Sequence, residues 1–343
     1  MSKPEVLIVG CGAVGLSAGF FLSTRASITY LVRPGRKSAF LPPKNLYSYK
    51  DNELHTFDNY RVIEDPSEVS GEAFAFVLDT LDGFTARSEN GTKTLNKVGT
   101  LLNEKQNADC FVVYDAVGLA MEEHYSTALG IPGTRLLFAA SLLAHQPTSL
   151  ITVPSNADKT LVAKADILYS SISKNVGLTV VNTQPRLTQR LKQIYEQNDA
   201  GMKISALPAF MAPIVLAMML HLVIWHLDGW NEFNHLQQNK DLWPLMVRAQ
   251  KEILTLPRFG WSGWLLSWVF GGWAAAKVNQ GAVGGAMPLQ VHEFNKFHHG
   301  GKVNAQDIKI MKDLLVEGEG SRHGMPALRE VVERARGFKA VEI

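Results

Sequence analysis

The N-terminal sequence contains short apolar runs separated by a glycine-rich turn and a helical pattern. Residues 6–9 (VLIV) are an uninterrupted apolar run, which predicts a strand buried on both faces of a parallel sheet. The turn at residues 10–15 follows, and residues 13–22 then carry small and apolar side chains at helical spacing. A second apolar run at residues 28–32 completes the pattern of a βαβ unit with a right-handed crossover.

The same alternation continues along the chain as far as Asp199. We predict further strands at residues 61–63, 74–78, 110–114, 135–139 and 150–153, and helices at residues 90–103, 118–128 and 187–198. Residues 161–173 and 176–182 are expected to complete the sheet, and strand signals nearly vanish beyond Asp199. The pattern therefore predicts an α/β fold, with a Rossmann domain over residues 1–199 and a helical substrate or dimerisation domain over residues 200–343.

Two apolar stretches interrupt the helical half. Residues 206–225 are long enough to reach across a bilayer, and residues 261–276 are shorter and rich in tryptophan. We interpret both as buried or interface helices, because Pro208, Pro213 and His221 interrupt the first and no basic flank follows it. A homodimer and no membrane partner are therefore expected, with an anchor through either stretch as the alternative. The tryptophans could also form an apolar lid over a hydrophobic substrate.

Composition narrows the class of protein. The chain has 343 residues, of which 46% are hydrophobic and 19% charged, and its formal net charge is +2. This balance is typical of a globular protein and does not favour nucleic acid as a partner. Only two cysteines are present, which excludes a disulfide framework and favours a reducing, cytoplasmic compartment.

The glycine-rich turn matches the G-x-G-x-x-G pattern of dinucleotide-binding turns. Its first glycine permits the tight turn, the second lets the backbone approach a pyrophosphate, and the third lets the helix pack closely on the strand. The phosphates would then lie at the helix N-terminus. We therefore expect these residues to bind the cofactor: Gly10, Cys11, Gly12, Ala13, Val14 and Gly15. The alternative is a structural turn that binds nothing.

The end of the second strand indicates which dinucleotide is bound. NAD-binding proteins usually place an acid there to bind the ribose 2′-hydroxyl, whereas this chain has Arg33, followed by Arg36 and Lys37. A guanidinium suits a 2′-phosphate. Arg33 and Lys37 therefore predict NADP(H), unless they are solvated loop charges.

With its GCGAVG turn, the LVR sequence ending the second strand and a helical second half, the chain resembles the ketopantoate reductase family. The resemblance implies a Rossmann domain followed by an all-helical domain of the 6-phosphogluconate dehydrogenase type. It also implies a small-molecule substrate in the cleft between the domains and hydride transfer from NADPH. Asp115 and Ala139, at the ends of later strands, are placed at the cofactor by the same resemblance.

The family's catalytic residues are replaced in this sequence. A lysine of the family is matched by Asp82, an asparagine beside the nicotinamide is matched by Asp115, and residues 211–215 contain no lysine. We therefore expect a small uncharged or cationic substrate that reacts at a carbonyl, imine or alcohol carbon. The alternative is a non-catalytic NADP(H)-binding sensor or scaffold.

Three groups could transfer the proton that the missing lysines would supply. The first is the pair His298 and His299, because histidine titrates near neutrality. The second is Tyr114 with Asp115, although Asp115 could merely cap a helix. The third is His221, which is more typical of a satisfied core histidine. No metal site is expected, because the histidines lack a known ligand spacing.

Overall fold

The computed structural model describes residues 3–319, 324–338 and 340–341. Contacts divide the chain into two compact units. The first contains the residues up to Ala116 together with Ala120–Pro147 and Ser155–Leu207, and the second contains Val117–Leu119, Thr148–Pro154 and the residues from Pro208 onward. The structure thus divides the chain several residues after Asp199, because a strand at Lys203–Pro208 still belongs to the sheet.

The first unit is built on twelve strands in two sheets. The strands are β1 (Glu5–Val9), β2 (Ser27–Leu31), β3 (Lys44–Ser48), β4 (Glu53–Phe57), β5 (Arg61–Ile63), β6 (Phe74–Asp79), β7 (Phe111–Tyr114), β8 (Leu136–Ser141), β9 (Leu143–His145), β10 (Ile167–Ser170), β11 (Val176–Asn182) and β12 (Lys203–Pro208). The eight-stranded sheet has the order β12-β11-β8-β7-β6-β1-β2-β5, and the four-stranded sheet has the order β4-β3-β10-β9.

The helices that accompany these strands lie mainly in the second unit. They are α1 (Ala13–Ser23), α2 (Gly83–Arg87), α3 (Glu89–Leu102), α4 (Met121–Leu129), α5 (Lys159–Val162), α6 (Pro185–Tyr195), α7 (Ala212–Leu227), α8 (Phe233–Gln238), α9 (Leu242–Leu254), α10 (Gly260–Val269), α11 (Gly272–Ala286), α12 (Val291–Phe297), α13 (Asn304–Glu319) and α14 (Pro326–Ala335). Within the described residues, all strands belong to the first unit, apart from Pro208, the last residue of β12.

The parallel part of the large sheet has the strand order of a dinucleotide-binding fold. The strands β5, β2, β1, β6, β7 and β8 are parallel neighbours, which is the 3-2-1-4-5-6 order of doubly wound sheets. β1 is buried on both faces, since Val6, Leu7 and Ile8 have no exposed surface. The predicted fold class, an α/β Rossmann unit followed by helices, is confirmed.

The structure also contains strands that the apolar pattern does not predict. The four-stranded sheet includes β3 and β4, whose sequences KNLYS and ELHTF mix polar and apolar positions and give no clear strand signal. The strand expected at residues 150–153 is wrong. Instead of pairing in a sheet, Thr152 donates from both its N–H and its Oγ1 to the carboxylate of Glu293.

The second unit is organised around α7, which packs against α9 and α13. Among the described residues, one helical stretch, Ala209–Leu227, is long and apolar enough to cross a membrane, and half of its most apolar window is buried. His221 is fully enclosed there. Its Nε2 lies 2.6 Å from Gln250 Oε1, and Asn279 Nδ2 lies 3.0 Å from its Nδ1. Burial lowers the pKa of His221 to about 4. It is therefore a neutral, satisfied core histidine.

The tryptophan-rich stretch, predicted as a buried or an interface helix, is not buried. Trp261, Trp264 and Trp268 on α10, and Trp273 on α11, are all largely exposed. The residues of α10 that are buried are Gly263, Leu266 and Ser267. α10 is therefore not a buried helix, because its three tryptophans are exposed, while its prediction as an interface helix stays a prediction.

Candidate dinucleotide-binding site

The glycine turn joins the buried end of β1 to α1 in a conformation that two of its glycines require. Gly10 has a φ of +98° and donates its N–H to Leu31 O at 3.0 Å. A Cβ on Gly10 would lie 2.6 Å from Thr80 Oγ1, and a Cβ on Gly15 would collide with the carbonyl of Gly10. These two glycines are therefore fixed by backbone conformation and by the close approach of helix to strand.

Gly12 has no such internal reason to be glycine. Its φ of −83° suits any residue, and a Cβ added there would meet nothing within 4 Å. Gly12 is the N-cap of α1, where no side chain caps the helix and no acid occupies the first turn. The first amides of α1 are thus open to an anion, and a side chain at Gly12 would fill the space that a pyrophosphate needs. The turn fits a dinucleotide on this observation.

The other residues of the turn have side chains that are wholly or partly buried. Cys11 and Ala13 are buried in the hydrophobic core, and Val14 is partly buried. Burial raises the pKa of the Cys11 thiol to about 12, so this cysteine stays protonated and unreactive. Their expected contact with the cofactor is therefore limited to main-chain atoms.

A cavity of about 770 Å³ opens beside the turn, at the carboxyl ends of β1 and β2. Ligands of open α/β sheets bind at this edge. Its lining includes Val9, Gly10 and Cys11 from the turn, residues 31–34 and 36 from the end of β2, and Ser88, Asn90, Gly91, Lys93, Thr94 and Lys97 from the N-terminal half of α3 and its cap.

The two basic residues proposed from sequence lie in different places. Arg33 lines the cavity, as does Arg36, whose guanidinium lies 5.8 Å from the ring centroid of Phe40. Lys37 does not line it, and its ammonium pairs with Glu68 at 3.4 Å. Arg33 thus keeps its predicted position, whereas the side chain of Lys37 is bound to an acid outside the cavity.

Glu64 is a residue of this site that the sequence did not indicate. It follows β5, lines the cavity and accepts the N–H of Lys37 at 2.7 Å. Hydrogen bonds from the backbone of Lys37, Gly35 and Arg36 lower the pKa of its carboxyl. Glu64 therefore remains ionised and fixes the loop that carries Arg33. Only the register between β2 and β5, which pairs Leu31 with Ile63, reveals this proximity.

Two carboxyl groups lie at the neighbouring ends of β6 and β7. Asp79 is fully buried, accepts from Tyr125 Oη at 2.7 Å and from Leu81 N at 2.9 Å, and its carbonyl accepts the N–H of Asp115 at 3.1 Å. Burial raises the pKa of both carboxyls to about 7, and the charge of Asp79 adds to the increase for Asp115. Asp79 was not predicted from the sequence. The available signal was its position as the one acid at the end of the apolar run FAFVLD.

The structure shows structural roles for Asp82 and Tyr114 and excludes the capping role for Asp115. Asp115 is not an N-cap, because α4 begins only at Met121. Asp82 caps α2, accepting from Phe84 N at 3.0 Å and Thr85 N at 2.8 Å, so its carboxylate is already engaged. Tyr114 packs in the core, where its ring stacks on that of Tyr125 with centroids 4.7 Å apart.

Ala139 also lies in the core. It is 1% exposed, pairs with Val180 of β11, and is absent from the cavity lining. Its side chain therefore packs within the sheet, and any contact with the cofactor would have to come from the residues that follow it.

The two histidines proposed for proton transfer lie in the second unit, in a π-helical turn at His298–Lys302. Such turns are often found at functional sites. His299 Nδ1 lies 2.8 Å from Oδ2 of the buried Asp307. His298 stacks on Phe294, and burial lowers its pKa well below the usual value. Among the described residues, no group of three or more acids, histidines or cysteines is placed to hold a metal ion.

Solved structures with the same architecture place these features in a known fold. A probable 2-dehydropantoate 2-reductase from Bacillus subtilis superposes with a TM-score of 0.65 at 12% identity, covering 98% of this chain and 100% of its own. The 2-dehydropantoate 2-reductase from Geobacter metallireducens gives a TM-score of 0.63 at 14% identity, over 96% of this chain and 98% of its own. The chain has the ketopantoate reductase fold.

A further structure with this fold acts on a different substrate. A D-mandelate dehydrogenase, solved with NADH and anilino(oxo)acetate, gives a TM-score of 0.60 at 11% identity, covering 96% of this chain and 97% of its own. No family model and no curated protein matches the sequence. The ketopantoate reductase fold is thus shown by structure, while sequence identity to these three solved structures is only 11–14%.

Proposed function

We propose that this protein is an NADP(H)-dependent oxidoreductase that reduces or oxidises a small, uncharged or cationic molecule at a carbonyl, imine or alcohol carbon. The observation that carries the proposal is the cavity beside the glycine turn, with Arg33 in its lining and open helix amides next to it. The ketopantoate reductase fold supports it, because solved structures of that fold include a probable 2-dehydropantoate 2-reductase and a D-mandelate dehydrogenase.

Three elements would hold the cofactor. The backbone at Gly12 and the first amides of α1 would bind the pyrophosphate, and Arg33 would bind the 2′-phosphate. Glu64 would keep the Arg33 loop in place. The nicotinamide supplies or accepts a hydride when bound.

Proton transfer is assigned to His299. The carboxylate of Asp307 orients the ring through Nδ1, and Nε2 would exchange a proton with the substrate. Tyr114 is a poorer choice because its ring is packed in the core, and His298 is kept neutral by burial. We expect His299→Ala to lower kcat about 100-fold or more, within the range of a lost acid–base group. Asp307→Asn should shift the pH profile of kcat while leaving KM nearly unchanged.

Arg33 and Lys37 form a matched pair for testing the cofactor assignment. Arg33→Ala should weaken NADPH binding at least about tenfold and leave NADH binding unchanged, because only NADPH carries the 2′-phosphate. Lys37→Ala should change neither affinity, since its ammonium pairs with Glu68 outside the cavity. Fluorescence titration with both nucleotides measures the two effects. Equal loss in both variants, or none in either, would contradict the assignment.

A non-catalytic NADP(H) sensor or scaffold is the second candidate. Two observations favour it. Asp82 stands where the family has a lysine and its carboxylate caps α2, and the ring of Tyr114 is packed in the core. A screen of ketones, imines and alcohols with bound NADPH separates the two. Tight nucleotide binding without turnover of any compound would favour the sensor.

A further inference from the structure

The exposed side of α10 carries the largest apolar side chains of that helix. Trp261, Trp264 and Trp268 are 70%, 60% and 66% exposed, and Leu265 and Val269 lie on the same side at helical spacing. We call these five residues the tryptophan face. Three tryptophans alone present several hundred Å² of apolar surface, which is as large as the largest patch on an ordinary monomer. We propose that the tryptophan face docks the protein on the surface of an anionic lipid bilayer.

The packing of α10 holds this face outward. A Cβ on Gly263 would collide with the carbonyl of Leu254 at the end of α9, so the helix contacts its neighbour through a glycine. Rotating the helix to bury Trp264 would force its large side chain into the narrow space that Gly263 now occupies next to α9. The exposure is therefore built into the contact between α9 and α10.

Tryptophan has the chemistry that a bilayer surface selects. Its ring is apolar over most of its area, while its N–H needs water or a headgroup as a partner, so it concentrates at the boundary between headgroups and acyl chains. Trp264 and Trp268 contact each other edge-on, with centroids 6.4 Å apart. Short helices with such a face lie in the plane of the interface rather than crossing it.

Charge favours an anionic surface over a second copy of the chain. Between Glu252 and Glu293 the sequence contains no acid, and its cations there are Arg258 and Lys277. Arg258 is paired with Glu317 at 2.6 Å, so Lys277 is the cation of this segment that remains for an anionic surface. Just before this segment, Lys251 places its ammonium 4.8 Å from the ring centroid of Trp268. A two-fold interface would bring each tryptophan face, with its Lys251, against its own copy. Anionic headgroups would instead neutralise the ammonium groups of Lys251 and Lys277.

Co-sedimentation of the full-length protein with vesicles tests the proposal. We expect binding to vesicles of phosphatidylcholine with phosphatidylserine, weaker binding to phosphatidylcholine alone, and weakening by salt. Brominated lipids should quench the tryptophan fluorescence. The variant Trp264→Ser/Trp268→Ser should lower the partition coefficient at least about tenfold, with an unchanged melting temperature.

The control is Val316→Ser, which removes an equally exposed apolar side chain from α13 and should leave vesicle binding unchanged. Absence of vesicle binding, or full binding by the double tryptophan variant, would overturn the proposal. A dimer detected by light scattering would also overturn it, if the double tryptophan variant abolishes the dimer and the native protein does not bind vesicles. None of these readouts depends on nucleotide binding or turnover, so they are independent of the proposed function.

Discussion

Gly12 and Gly15 are glycines for different physical reasons, and substitution separates them. Gly15 packs against the Gly10 carbonyl, whereas Gly12 faces open space. We expect Gly12→Ala to leave the free energy of unfolding within about 1 kcal/mol of the native value, because its backbone tolerates alanine. It should nevertheless weaken NADPH binding at least about tenfold, since the methyl group occupies the phosphate site.

Gly15→Ala is the comparison at the same turn. It should destabilise the fold by roughly 1–3 kcal/mol, because the added methyl group pushes α1 away from β1. Urea denaturation and NADPH titration of both variants give the result. If Gly12→Ala binds NADPH as tightly as the native protein, no phosphate lies at that position.

The raised pKa of Asp79 predicts how stability changes with pH. In the unfolded chain this carboxyl ionises near its ordinary pKa of about 4, whereas in the fold it holds its proton up to about 7. The folded state therefore binds more protons in that window. Its contribution to stability is present below about pH 4 and is lost as the pH rises through 7.

Asparagine mimics the protonated carboxyl and should remove this dependence. Asp79→Asn is expected to reduce the fall in unfolding free energy between pH 5 and pH 8 by roughly 1–3 kcal/mol. Asp115 titrates in the same direction, so part of the slope should remain in the single variant. Urea denaturation at the two pH values measures the difference. An equally steep fall in the variant would assign the slope to other groups.

At the scale of elements, Glu64 connects β5 to the loop after β2. If NADPH binds as proposed, the Glu64 carboxylate should have two opposing effects on the affinity. Its charge repels a phosphate, and its hydrogen bond to Lys37 N fixes the Arg33 loop. Glu64→Gln removes the charge and keeps an acceptor, while Glu64→Ala removes both. We expect Glu64→Ala to bind NADPH about fivefold more weakly than Glu64→Gln, the effect of one net hydrogen bond. Equal affinities would mean that the loop needs no support.

Elements with a strong local pattern could be predicted from sequence, and those held by distant partners could not. The succession of β1, glycine turn, α1 and β2 follows from apolar runs and glycine spacing within one short segment. The small second sheet has no such pattern, because β3 is stabilised by pairing with β10, far along the chain. The orientation of α10 was also hidden, since it depends on Gly263 fitting against α9.

The candidate site shows the same division. Arg33 could be placed from its position after β2, but the different fate of Lys37 depends on Glu68, and the roles of Glu64 and Asp79 depend on strand register and burial. Contacts between side chains on neighbouring strands cannot be predicted from the order of residues along the chain.

At the scale of the whole molecule, a unit with the strand order of dinucleotide-binding folds is followed by a helical unit that carries the tryptophan face. The first unit has a glycine turn and a cavity that fit a dinucleotide, and identity to the solved 2-dehydropantoate 2-reductases compared above is 12–14%. Cofactor binding is therefore the property on which the proposed activity depends.

Calorimetric titration of the purified full-length protein with NADPH and, separately, with NADH tests that property most directly. The cavity and Arg33 predict one NADPH bound per chain, at least about tenfold more tightly than NADH. Equal affinity for the two nucleotides would contradict the role of Arg33. Binding of neither would show that the glycine turn only joins strand to helix, and the oxidoreductase proposal would fall.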